Sequence, residues 1–334
     1  LGYVGSISSE EYNANKDKYD INDIIGKTGI QYTLEEYLKG VDGVRQVDMS
    51  VDGTITGEYI AEEAEAGHTV VLTIDSNLQK VTEQALEKNI KKIANGDYGK
   101  KYNAKAGAAI VMNVKTGDIL ALTSYPDYEP ELFITGISQK KLEEYNKGNN
   151  YYNRAISGIY APGSVFKMVV ATAALENNTI TTSTTINDTG IYPRGHNPAC
   201  WIYTSRHYGH GYLNVTDAIK KSCNYFFYEL GYRMGIDPVI QYAKAYGLGI
   251  KTGIELSGES SGIVDLKKQC EESTGVKWQF GDTLSAVIGQ SYNSYTPIQI
   301  ARYTGMLANG GKSVDVSLIK SILDSDGNKV SKEE

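Results

Sequence analysis

Residues 107–126, GAAIVMNVKTGDILALTSYP, read as two apolar strands closed by a turn at Lys115–Asp118, and this hairpin limits the fold more than any other stretch. Strands joined by so short a turn run antiparallel. Ahead of it, the strand Val70–Ile74 leads through Asp75 and Ser76, both good N-cap residues, into an amphipathic helix in SNLQKVTEQALEKNIKKI. Strands and helices mixed around a hairpin lack the βαβ rhythm of a doubly wound sheet and predict an α+β fold. Residues 1–68 hold only short polar turns and short alternating strands, as in VRQVDMSVDGTITGEYI, and predict a separate extended module with a small core. The second unit takes up residues 69–334, with a polar loop over about 126–158. No run of about 18 apolar residues occurs, so no membrane span is predicted within the sequence.

Charge excludes one class of function. Forty acidic against 33 basic residues give a formal net charge of −7, which argues against a general nucleic-acid binder. Three cysteines, Cys200, Cys223 and Cys270, are too few for a disulfide framework and leave the compartment open. The sequence begins at LGYVGSISSEEY, with neither a methionine nor a signal segment, and reads as trimmed.

Candidate chemistry starts in YAPGSVFKMVVATAALENN, residues 160–178, where a turn leads into an apolar helix and Ser164 and Lys167 stand three apart. On a helix that spacing puts both side chains on one face. A serine in the first turn lies near unpaired backbone N–H groups that favour developing negative charge. Val165, Phe166, Met168, Val169 and Val170 surround Lys167, and loss of hydration lowers an ammonium pKa until the amine can act as a base. The same residues equally suit a capping serine beside a snorkelling lysine. Serine-x-x-lysine also occurs at Ser138/Lys141, in a charged stretch that keeps the lysine solvated, and at Ser317/Lys320, in a strand-like run where positions three apart face opposite sides.

A second constellation lies in GHGYLNVTDAIKKSCNYFFYELGYRMGID. Ser222 and Asn224 share a face only if the chain breaks between a helix ending near Lys221 and another starting near Tyr225. Ser291 and Asn293 repeat the spacing. Read without context, each pair suits capping better than catalysis.

Taken in order along the chain, these pieces resemble the class B penicillin-binding proteins, the D,D-transpeptidases of peptidoglycan, whose active-site boxes include serine-x-x-lysine and serine-x-asparagine. The likeness runs through LGYVGSIS, GKTGIQYTLEEYLKG, LTIDSNLQK, NRAISGIYAPGSVFK, GLGIKTGIELSGE and IGQSYNSYTPIQIA. WIYTSRHYGHGYLNVT looks most like the elongation-type members, the penicillin-binding protein 2 group. The resemblance implies an antiparallel sheet flanked by helices, carried on an N-terminal pedestal. It implies Ser164 as the acylated nucleophile, Lys167 as general base, Ser222 as proton relay and Asn224 as a ligand of the donor peptide. It further implies stem peptides as substrates, acylation by β-lactam antibiotics, a membrane glycosyltransferase as partner, and an N-terminal membrane anchor holding the enzyme at the extracytoplasmic face. Alternatives are a serine β-lactamase or β-lactam sensor, or a non-catalytic scaffold of a wall-synthesis complex. The family's third box, lysine-threonine-glycine, matches at Lys27, Lys115 and Lys251, none in the expected place after Gly289–Pro297, so it is expected beyond Glu334.

The chemistry needs no cofactor, but one cluster suggests a structural metal. Cys200, His207, His210 and Cys223 are spaced Cys-x6-His-x2-His-x12-Cys, and thiolate with imidazole favours zinc. Cys200, His207 and Cys223 are the expected ligands, with Asp188, His196 or His210 as the fourth. Two buried thiols, or a disulfide between them, account for the same cysteines.

Overall fold

The computed structural model describes residues 1–263 and 265–330. At the N-terminal end, β1 (Val4–Ser6) pairs antiparallel with β2 (Ile24–Gly26), and β3 (Val44–Met49) with β4 (Ile55–Glu62). Three short helices lie among them, α1 (Ser9–Ala14), α2 (Gly29–Thr33) and α3 (Glu35–Leu38). Ser8 and Glu11 close a reciprocal capping box on α1. Ile7, Ile25, Ile30 and Leu34 are buried here, while every residue of β3 is exposed.

From Thr69 the packing thickens. β5 (Thr69–Leu72) leads into α4 (Ser76–Asn95), which Asp75 caps by accepting from the Asn77 and Leu78 N–H groups and which ends at Gly96 in the left-handed region. The expected hairpin follows as β6 (Gly107–Met112) and β7 (Ile119–Tyr125), paired antiparallel. Gln79 of α4 fastens to this hairpin as a strand would: its side chain donates to Leu122 O at 2.9 Å and accepts from Leu122 N at 2.8 Å.

The stretch 126–158, expected to be a polar loop, instead holds α5 (Leu132–Thr135) and α6 (Gln139–Gly148). Local pairs build α6: Ser138 caps it, Gln139 bonds Glu143 and Lys141 bonds Glu144. Tyr145 is its one buried residue, so hydrophobic periodicity could not reveal it.

The 3₁₀ turn Gly163–Phe166 runs into α7 (Lys167–Glu176), whose Val169, Val170, Ala171, Ala173 and Ala174 are all buried. A helix apolar on every side belongs at the centre of a core. Beyond it come β8 (Ile186–Asp188), α8 (Trp201–Arg206), β9 (Gly211–Leu213), α9 (Val215–Lys220), α10 (Asn224–Met234) and α11 (Asp237–Ala245), with β8 and β9 paired. Next are α12 (Leu266–Thr274), α13 (Phe280–Ala286), α14 (Pro297–Ala308), β10 (Ile319–Leu323) and β11 (Lys329–Val330). β10 lies between β5 and β11, antiparallel to both. One core joins Phe166, Val170, Phe226, Leu230, Leu284, Val287 and Tyr303 around α7; a second joins Ile119, Ile156, Ile298 and Leu318 under the sheets. Among the described residues no helix is long and apolar enough to cross a membrane.

Candidate active site

The chain break that Ser222 and Asn224 require is built by a helix C-cap. Past the end of α9, the Ser222 N–H bonds Ile219 O and the Cys223 N–H bonds Ala218 O, with Ser222 at φ 51°. These two bonds around a left-handed residue form a Schellman motif, a position that normally selects glycine. Cys223 then caps α10, its Sγ accepting from the Phe226 N–H at 3.4 Å, so Asn224 becomes the first residue of the new helix. Serine and asparagine, two apart, thereby face one point.

That point is Lys167. Its Nζ lies 2.8 Å from Ser222 O, 3.1 Å from Ser222 Oγ and 2.6 Å from Asn224 Oδ1. Ser222 Oγ in turn lies 2.9 Å from Ser164 Oγ. The hydrogen-bonded path from the lysine to Ser164 thus runs through the Ser222 hydroxyl. Lys167 is 2% exposed while Ser164 is open to solvent. Burial drives the lysine down to about 8, only partly offset by the nearby thiols of Cys223 and Cys200. A neutral amine has two N–H donors and one lone pair. With the donors spent on Ser222 O and Asn224 Oδ1, the lone pair faces Ser222 Oγ.

The turn carrying Ser164 is held from behind. The Gly163 N–H bonds Gly289 O at 2.9 Å, and a Cβ on Gly289 would fall 2.0 Å from Gly163 O, so only glycine fits. Tyr160 and Tyr295 exchange backbone hydrogen bonds beside it.

The other matches go elsewhere. Ser138 caps α6 and Lys141 pairs with Glu144. Ser317 donates to Glu255. Asn293 is fully buried, donates to Ala286 O and Gln290 O, and accepts from the Tyr295 hydroxyl. Lys27 pairs with Glu11, Lys115 sits in the β6–β7 turn, and Lys251 precedes Thr252, whose N–H and hydroxyl both bond Glu259.

Behind the Ser222–Asn224 turn lies a cluster of Asp188, Cys200, His210 and Cys223, whose ligating atoms all lie within 4.8 Å of one another. His207 is not part of it. It ends α8 in the left-handed region with its ring against Tyr203. His210 takes the place instead, because a Cβ on Gly209 would sit 2.1 Å from Asp188 O, and the bare glycine lets the next residue reach Asp188. His196 is exposed on a separate turn. The glycines flanking His210 were the available sequence signal. The two sulfurs are 3.9 Å apart, Cys200 Sγ is 3.7 Å from His210 Nδ1, and Cys223 Sγ is 3.3 Å from Asp188 Oδ2. Tetrahedral zinc with ordinary bond lengths requires sulfur–sulfur and sulfur–nitrogen separations of about 3.8 and 3.6 Å, which the two thiols and His210 meet, whereas His210 Nδ1 and Asp188 Oδ2, hydrogen-bonded at 2.7 Å, would have to part to about 3.3 Å to share the ion. Burial pushes the Asp188 carboxyl up, but hydrogen bonds from His210, Gly190 and Cys223 outweigh it and hold the carboxyl below its ordinary value. The contact between the two sulfurs lowers the Cys200 thiol, and the same contact with burial raises Cys223.

The chain also has known relatives. The penicillin binding protein transpeptidase domain family matches residues 107–334, and the penicillin-binding protein dimerisation domain family matches residues 1–72. The peptidoglycan D,D-transpeptidase MrdA of Acinetobacter baumannii is 33% identical over 320 residues, covering 94% of this chain and 45% of that protein. The chain spans about half the length of the curated relatives it matches. The crystal structure of Pseudomonas aeruginosa PBP2 in complex with WCK 5153 is similar at TM-score 0.77 and 31% identity, over 100% of this chain and 66% of that one. The complex of PBP2 with MreC from Helicobacter pylori gives TM-score 0.80 and 30% identity, over 98% and 57%.

Proposed function

The chain belongs to the penicillin-binding protein transpeptidase family, and from that premise we propose that it is the acyl-transfer part of a peptidoglycan D,D-transpeptidase. The observation that carries the reading is the unbroken path from Lys167 Nζ through Ser222 Oγ to Ser164 Oγ. Ser164 attacks the carbonyl carbon of the D-Ala-D-Ala amide while its proton passes to Ser222 and the Ser222 proton to Lys167. The backbone N–H of Ser164 donates to the oxyanion of the tetrahedral intermediate. As the C–N bond breaks, the relay returns a proton to the departing terminal D-alanine. The acyl group then passes from Ser164 to an amine of a neighbouring stem peptide. Asn224 holds the relay from Lys167's other side and offers its amide to the donor peptide.

Residues 1–68 serve as the pedestal and residues from 69 on as the catalytic unit; the pairing of β5 with β10 supports the division. Asp188, Cys200, His210 and Cys223 hold a structural zinc, a reading supported by their mutual proximity and by the thiol and imidazole donors among them. When bound, zinc with four protein ligands activates no water and braces the turn from behind. Partners are stem peptides, β-lactams and a membrane glycosyltransferase, at the extracytoplasmic face of a bacterial membrane; the Helicobacter relative's complex with MreC supports a place in a wall-building assembly.

Intact mass of the full-length protein after incubation with a β-lactam tests the reading. A lasting adduct mapped to Ser164 and lost in Ser164→Ala is expected. A transient adduct means a lactamase, none means a scaffold, and a label on Ser138, Ser222 or Ser317 moves the nucleophile.

A further inference from the structure

Tyr303 of α14 belongs to no motif, yet it is fully buried and reaches the nucleophile's turn. Its hydroxyl donates to Val165 O at 2.9 Å, and the phenol oxygen faces the Val169 N–H. Val165 C=O and Val169 N–H are the groups that a continuous α-helix joins to each other. The phenol oxygen therefore sits inside the helical ladder, where the 3₁₀ turn Gly163–Phe166 gives way to α7. Groups inserted into a ladder bend helices. Ser164 lies on one side of this insertion and Lys167 on the other.

We propose that Tyr303 is a positioning residue for acylation, its hydroxyl spacing the Ser164 turn from the α7 helix so that Ser164 Oγ meets Ser222 Oγ. The inference rests on the reading of Ser164 as nucleophile. A continuous α-helix would draw Val165 C=O onto Val169 N–H and carry Ser164, the residue before, along with it. The Tyr303 ring is fixed in turn: Tyr246 packs edge-on against it at 5.1 Å, and the Tyr246 hydroxyl is 3.0 Å from Thr172 Oγ1 of α7. The oxygen is thus placed by α14 and by Tyr246 at the end of α11, neither of which carries a catalytic side chain.

Time-resolved labelling of the full-length protein with a fluorescent penicillin separates three quantities: the dissociation constant of the non-covalent complex, the acylation rate constant and the final stoichiometry. Tyr303→Phe keeps the ring and lets the ladder close. The acylation rate constant should fall by about 10- to 100-fold, as about 1 Å of misplacement does, with the dissociation constant and full stoichiometry kept. An unchanged rate constant, or lost stoichiometry at an unchanged rate constant, would overturn the inference. If the wild-type protein takes no label at Ser164, the functional reading falls instead. An experimental structure of the wild-type protein gives an independent test: a direct bond between Val169 N and Val165 O, with the Tyr303 hydroxyl elsewhere, overturns the proposal even if the variant does not fold.

Discussion

Lys167 destabilises the fold it serves. Its folded pKa of about 8 lies below the ordinary 10.5, so the unfolded chain holds that proton more tightly. The penalty is full below about pH 8 and relieved as pH climbs toward 10.5, and its size is roughly 3 kcal/mol. Lys167→Met should therefore resist urea better than wild type at pH 7, by at most that amount because Ser222 O and Asn224 Oδ1 lose a partner. The advantage should shrink as pH climbs from about 8 to 10.5, and a variant less stable at pH 7 would contradict the account. Function runs the other way. Only the neutral amine takes the serine proton, so acylation should rise with pH to a midpoint near 8. Lys167→Arg should be nearly as inactive as Lys167→Ala, since arginine does not deprotonate. Substantial β-lactam labelling of the arginine variant would remove Lys167 from the role of base.

At the scale of elements, the α9–α10 break decides the site's geometry. Ser222 holds a left-handed conformation that costs a non-glycine residue about 1–2 kcal/mol. Ser222→Gly should raise the melting temperature and still lose most acylation, because strain and relay reside in one residue. A glycine variant that acylates at the wild-type rate would place the proton path elsewhere. Chelator treatment should loosen the same turn, seen as faster amide exchange at 222–226 and slower acylation; metal analysis finding well under one zinc per chain would end that reading. The sequence called for this break because Ser222 and Asn224 could not otherwise share a face, and the hairpin and the Asp75 cap were equally open to reading. The signals there are local: turn residues, caps, period-two strands. What stayed hidden, α6 aside, depends on distant chain segments. Choosing His210 over His207 needed the Gly209–Asp188 contact, α6 had too little apolar pattern, and Tyr303 meets Val165 across 138 residues.

For the molecule as a whole, the resemblance singled out Ser164, Lys167, Ser222 and Asn224, and hydrogen bonds spanning 55 to 58 residues bring the four together. Lys251→Ala in the full-length protein should leave acylation intact, since its neighbour Thr252 is committed to Glu259. Loss of labelling without unfolding would restore Lys251 to the site. The two ends of the chain also differ in how much water they meet. In β3–β4, Val47, Met49, Ile55 and Ile60 are exposed, and two strands alone are marginal in water. A broad-specificity protease should cut the chain first near Asp52–Gly53, leaving the β6–β7 hairpin, with its Ile119 and Ala121 out of solvent's reach, whole in the surviving fragment. The order of those cuts would separate the part that stands by its own packing from the part that waits for something to lie against.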